Sequence, residues 1–91
     1  MSTTEMFLSI EEERMVATLQ EVADGLDGSV GEAVLDLSSV HRIDSRRLQA
    51  LQDLVRVADD KSVKVVLRGV NVDVYKVLKL IKLTQRFSFV H

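Results

Sequence analysis

The chain has 91 residues, 46% of them hydrophobic, with a net charge of −2 and no cysteine. That length supports one domain, expected over residues 1–91, with a single core. The absence of cysteine excludes disulfides, thiolate metal sites and thiol catalysis. No apolar run approaches the roughly 18 residues of a membrane span, and the N-terminus lacks the basic-then-apolar pattern of a secretory signal. The expectation is a cytoplasmic protein with no direct membrane insertion.

The charge is divided. Residues 1–39 hold nine acids and one base, net −8, while residues 40–91 hold five acids and eleven bases, net +6. Either the halves neutralise each other in the fold, or the basic half meets an acidic partner. The aromatic residues are Phe7, Tyr75, Phe87 and Phe89, and none interleaves with a basic cluster. A base-stacking surface for nucleic acid is therefore not expected.

In chain order, Met6–Ile10 is a short apolar run that predicts a strand. Ser9 and Glu12 have the spacing of a capping box. Val16, Leu19, Ala23 and Leu26 follow at helical spacing, so a helix is predicted from about Glu11 to Gly25. The acids Glu11, Glu12 and Glu13 then fall in its first turn, where the helix dipole favours them. That placement accounts for them without a metal, since three consecutive positions point to different sides of a helix. Asp27–Gly31 contains two glycines and predicts a loop. Ala33–Leu37 is apolar except for Asp36, as in a strand covered on both faces.

Leu48, Leu51, Val55 and Ala58, with Leu54 beside them, form the stripe of an amphipathic helix. Asp44 or Ser45 stands where its N-cap belongs. Asp59–Ser62 predicts a turn, and the β-branched run Val63–Leu67 a strand. Val74, Val77, Leu78 and Ile81 share one face of a last helix, opposite Lys76, Lys79 and Lys82, with Asn71 placed to cap it. Phe87–Val90 predicts a closing strand. The alternation predicts an α/β fold with a small mixed sheet of about four strands and three main helices. Its central strand–helix–strand crossover should be right-handed.

Most enzyme signatures are absent. There is no GxGxxG, no P-loop and no GxSxG. His41 and the terminal His91 are the only histidines, so no nucleophile–base pair is visible and no catalytic residue, metal ligand or cofactor is expected. What stands out is Asp44-Ser45 at a helix start, with Arg46 and Arg47 immediately after. A serine there is exposed, and a phosphate on it would meet free amides and the positive end of the helix dipole. The fold would tolerate such a modification while the surface gained about −1.5 to −2 units of charge.

The segment "AVLDLSSVHRIDSRRLQALQDLVRVADDKSVKVVLRGVNVDVYKVLKLIKL" resembles the STAS domain, the fold of anti-sigma factor antagonists. The shared pattern is an apolar strand ending in Asp-Leu-Ser, then an Asp-Ser pair opening a helix. A strand ending near Gly-Val and a valine- and leucine-spaced helix follow. The likeness runs over about residues 33–90. It implies a non-enzymatic regulator acting by protein–protein interaction, with an anti-sigma factor that is also a serine kinase as partner. Ser45 would be the phosphoacceptor, and Asp44 and Asp36 its supporting acids. His41, Arg42, Arg46, Arg47 and Leu48 would lie on the contact surface. A monomer or weak homodimer is expected.

"LDLSSVHRIDS" and "GVNVDVYKVLKLIKL" also look like the small cytoplasmic STAS subunit of lipid-transport ABC systems. That branch implies binding to an ATPase subunit without a sigma factor. The chain departs from the family in two places. Arg46 and Arg47 replace a small residue and a glycine, and there is room for one strand, not two, before the first helix.

Overall fold

A computed structural model describes residues 4–90; His91 lies outside them. Four strands alternate with three helices: β1 (Thr4–Ser9), α1 (Met15–Gly25), β2 (Val30–Asp36), α2 (Ser45–Asp60), β3 (Lys64–Arg68), α3 (Val72–Leu80) and β4 (Ser88–Val90). Single 3₁₀ turns precede α1 (Glu12–Arg14) and β4 (Thr84–Arg86). The predicted α/β class, with four strands and three helices, stands.

The sheet runs β1-β2-β3-β4, and each neighbouring pair is parallel. A mixed sheet was expected, and the crossover helices are the reason for the difference. Each of the first three strands is followed by a helix that carries the chain back along the sheet, so the next strand starts from the same end. Because right-handed crossovers all advance in one direction, the three helices lie on the same face.

That face holds the core. Alternate residues of the strands point into it: Met6 and Leu8, Ala33 and Leu35, Val65 and Leu67, and Phe89. They pack against Met15, Leu19 and Val22 of α1, against Leu51, Leu54, Val55 and Ala58 of α2, and against Val74 and Leu78 of α3. Leu19, Leu35, Leu51, Leu54, Leu67 and Leu78 are fully buried, each worth about 1.5–3 kcal/mol relative to exposure. The predicted stripe of α2 is confirmed except at Leu48, which is only partly buried, and Ala50 joins it. Val74 and Leu78 carry the inward face of α3, whereas Ile81 lies beyond its end and is 37% exposed.

The start of the first helix differs from expectation. Ser9 ends β1, paired with Asp36, and Ile10 extends the ladder through its amide to Asp36 O at 2.9 Å. Ile10 is 1% exposed, and its burial holds this stretch extended. The capping box therefore does not form. Glu11 leads into a 3₁₀ turn with no side-chain cap, and the α-helix begins at Met15. Glu12, freed from that role, turns toward a different part of the chain.

Candidate functional site

The site forms where the chain leaves β2 and enters α2. Leu37 continues the sheet by donating its amide to Arg68 O at 2.8 Å, and Val40 turns back with a bond to Leu37 O at 2.9 Å. Val40 is 1% exposed, which anchors the middle of the loop in the core. The neighbouring residues His41, Arg42, Asp44, Ser45 and Arg46 are all exposed. The loop is thus an exposed surface on a buried pin.

Three side chains from outside or beyond the loop fix its backbone. Glu12 Oε1 accepts from the amides of His41 at 3.0 Å and Arg42 at 2.9 Å. Asn71, just before α3, donates Nδ2 to the carbonyls of Val40 and His41, both at 3.3 Å. Arg47 reaches back with Nη1 to Arg42 O at 3.2 Å and to Glu12 Oε1 at 3.6 Å. Successive donors and acceptors between Val40 and Arg42 are thereby satisfied by side chains.

Both helix starts at the site are capped. Asp44 Oδ1 accepts from the Arg47 amide at 2.9 Å, so Asp44 is the N-cap and Ser45 the first residue of α2. Asn71 Oδ1 accepts from the Val74 amide at 2.8 Å and caps α3 as predicted, while its nitrogen serves the loop. Asp36, at the end of β2, accepts from the Ser38 amide at 2.9 Å.

The predicted residues therefore fall into separate roles. Ser45 is exposed and free of any capping duty. His41, Arg42 and Arg46 are exposed beside it. Arg47 is half-buried and folded back onto its own loop. Leu48 is partly buried against the core, so its side chain does not stand fully on the outer surface. Asp36 lies upstream, supporting the strand end.

Two shallow grooves adjoin the loop. One of about 400 Å³ runs between the starts of α1 and α2, lined by Glu12, Val16, Gln20, Asp44, Arg46 and Arg47. The other, of about 320 Å³, lies beyond Asn71 and is lined by Val70, Val72, Tyr75, Phe89 and Val90. There Tyr75 and Phe89 meet edge to face at 5.3 Å. Neither groove brings together a nucleophile and a base.

Electrostatics follow the hydrogen bonds. The amides of Arg42 and His41 hold the Glu12 carboxyl below its ordinary value of 4.5, and the Arg47 charge adds to this. The bonds from Ser38, followed by the Arg68 charge, hold Asp36 below 3.8. Because the folded Glu12 value is depressed, its contribution to stability is present above 4.5 and is lost as pH falls through the lowered value. Glu12→Gln should therefore be less stable than the parent at neutral pH. The gap should close below pH 4.5. Urea melts across the acid range check this, and a gap independent of pH would remove the carboxylate from the clamp.

Sequence reasoning missed the Glu12 clamp. Its two amide partners lie 29 and 30 residues further along the chain, and the serine three residues before it offered a sufficient local explanation. The only available signal was that Ile10, between them, is apolar enough to be buried as strand.

The described residues contain no helix long and apolar enough to cross a membrane. A comparison with curated proteins finds no match. Solved structures share the fold. A sulfate transporter family protein from Wolinella succinogenes superposes with a TM-score of 0.81 at 19% identity, over 96% of this chain and 77% of that one. A putative anti-sigma factor antagonist from Thermotoga maritima, TM1081, gives 0.69 at 23% identity, over 98% and 74%. The NMR structure of TM1081 gives 0.77 at 20% identity, over 99% and 76%. The family described as "Mlab, STAS domain" matches residues 8–90. With nearly the whole described chain matched and the strand–loop–helix site in place, the chain belongs to the STAS domain family.

Proposed function

We propose that the protein is a binding regulator of the anti-sigma factor antagonist type, switched by phosphorylation of Ser45. The observation that carries this reading is the exposed Ser45, first residue of α2, directly after a loop whose backbone is already bonded to Glu12, Asn71 and Arg47. A partner meets a surface fixed in advance, so little ordering entropy is lost on binding. A phosphate on Ser45 would stand at the positive end of α2 and leave the fold intact. It would reverse the local charge between Arg42 and Arg46. Arg47, in the position of a family glycine, is folded back onto Arg42 and Glu12; Arg46, which is exposed, is the departure a partner must accommodate.

The test is incubation with a serine kinase that doubles as an anti-sigma factor, taken from the same genome. One phosphate is expected by intact mass, none in Ser45→Ala, and binding of the partner should fall at least about tenfold in Ser45→Asp. Labelling that persists in Ser45→Ala would overturn the assignment.

A second reading, a non-switching subunit that binds the ATPase of a lipid-transport ABC system, draws on the family description, which names Mlab and no sigma-factor system. It also fits the groove beside Asn71 and Tyr75. On that reading Ser45→Asp leaves binding of the ATPase subunit unchanged.

A further inference from the structure

With α1, α2 and α3 on one side, the other face of the sheet carries no helix among the described residues. Parallel sheets are ordinarily covered on both faces. The pairing register lays out this free face in three rows. One row holds Glu5, Glu32 and Lys64 on β1, β2 and β3. The next holds Phe7, Val34, Val66 and Ser88. The third holds Ser9, Asp36, Arg68 and Val90. Val34 and Val66 at the centre are 8% and 3% exposed, and neither belongs to the core on the helical side. On the outer strands Phe7 and Val90 are 51% and 49% exposed. Acids occupy β2 and bases β3 at both ends of the central valine pair. Among the described residues neither Glu32–Lys64 nor Asp36–Arg68 closes into an ion pair within the chain.

We propose that this face is the interface of a weak two-fold homodimer, with a second copy as its occupant. A two-fold axis parallel to the strands, midway between β2 and β3, lays β2 of one copy over β3 of the other at the same height. Glu32 then faces Lys64 of the second copy, Asp36 faces Arg68, and Val34 faces Val66, each contact occurring twice. The alternative axis, perpendicular to the strands and in the same plane, would set Glu32 over Asp36 and Lys64 over Arg68. Charge selects the first arrangement and opposes the second. Aligned sheet-on-sheet packing at about 10 Å, with the strands about 30° apart, keeps the contact at the β2–β3 centre where these pairs lie. Four strands at about 4.8 Å spacing and a few residues at about 3.3 Å each give a patch on the order of 300 Å² per partner. That is well under the roughly 800 Å² per partner of a stable interface, so the dimer is weak and concentration-dependent.

Sedimentation equilibrium on the full chain, at concentrations up to about 1 mM, tests the geometry. Glu32→Lys alone and Lys64→Glu alone each set like charges across the interface and should weaken self-association about tenfold. The double exchange should restore it. An equimolar mixture of the two single variants should associate more strongly than either alone, because at both positions a lysine of one variant then faces a glutamate of the other. The mixture also separates the interface from any effect on folding, since it changes nothing within either chain. A parent protein that stays monomeric throughout, or a mixture no more associated than its components, overturns the proposal.

Discussion

Gly69→Ala is expected to lower the unfolding free energy by about 2–4 kcal/mol, the sum of a left-handed backbone imposed on alanine and a steric shift. Gly69 has φ +70°, a region that glycine enters freely and other residues do not. A Cβ there would also stand 2.9 Å from Ser38 Cβ and 3.2 Å from both Ser38 Cα and Asp36 Oδ1. The Ser38 atoms are backbone or directly attached to it, and Asp36 Oδ1 is held by the Ser38 amide. The chain leaving β3 is therefore pressed against the chain leaving β2, directly upstream of the loop that carries Ser45. For a domain of this size the loss corresponds to a fall in melting temperature on the order of 10–20 °C. Gly25→Ala, where an added Cβ meets nothing within 4 Å, serves as the control and should show no such loss. Equal melting temperatures for the two variants would mean that the Ser38–Gly69 contact gives way without cost.

The second large effect is expected at Asn71, which does two jobs with one amide. Asn71→Ala removes the α3 cap, worth about 1 kcal/mol, and two bonds to the loop carbonyls, each worth about 0.5–1.5 kcal/mol. The combined loss should be about 2–4 kcal/mol by denaturant melts. Asn71→Asp separates the two roles. Its carboxylate can still accept from the Val74 amide, but it has no donor for Val40 O and His41 O. Hydrogen exchange should then show α3 protected as in the parent, while the loop amides of His41 and Arg42 exchange faster. If the loop amides kept their protection in Asn71→Asp, Glu12 and Arg47 alone would be holding the loop.

These two positions show which parts of the site were legible in the sequence. The order of elements was readable because the signals are local: the β-branched run at Val63–Leu67, the leucine stripe of α2, the Asp44 cap and the Asn71 cap. Each depends on residues within one helical turn or one strand. The parallel β2–β3 crossover was readable from the helix between the two strands, but the direction of the outer strands was not, because an apolar run buried in a sheet looks the same in a parallel and a mixed arrangement. The fixing of the loop was also hidden. Glu12 reaches amides 29 and 30 residues away, and Asn71 carbonyls 31 and 30 residues back. Even Arg47, close in sequence, read as outward surface charge until the loop's path brought Arg42 O within reach of its guanidinium. Long-range bonds of this kind leave no spacing to count.

The sheet order has a consequence for how the molecule is made. Strand position follows chain position, β1-β2-β3-β4, so no strand has to slide between two that are already paired. During synthesis each new strand–helix unit can dock on the edge left by the one before it, with its helix landing beside the previous helix. The loop between β2 and α2, which ends at Ser45, takes its Glu12 contacts from the N-terminal half and its Asn71 bonds from the entry to α3. A chain ending before Asn71 would therefore lack half of the side-chain support around Ser45.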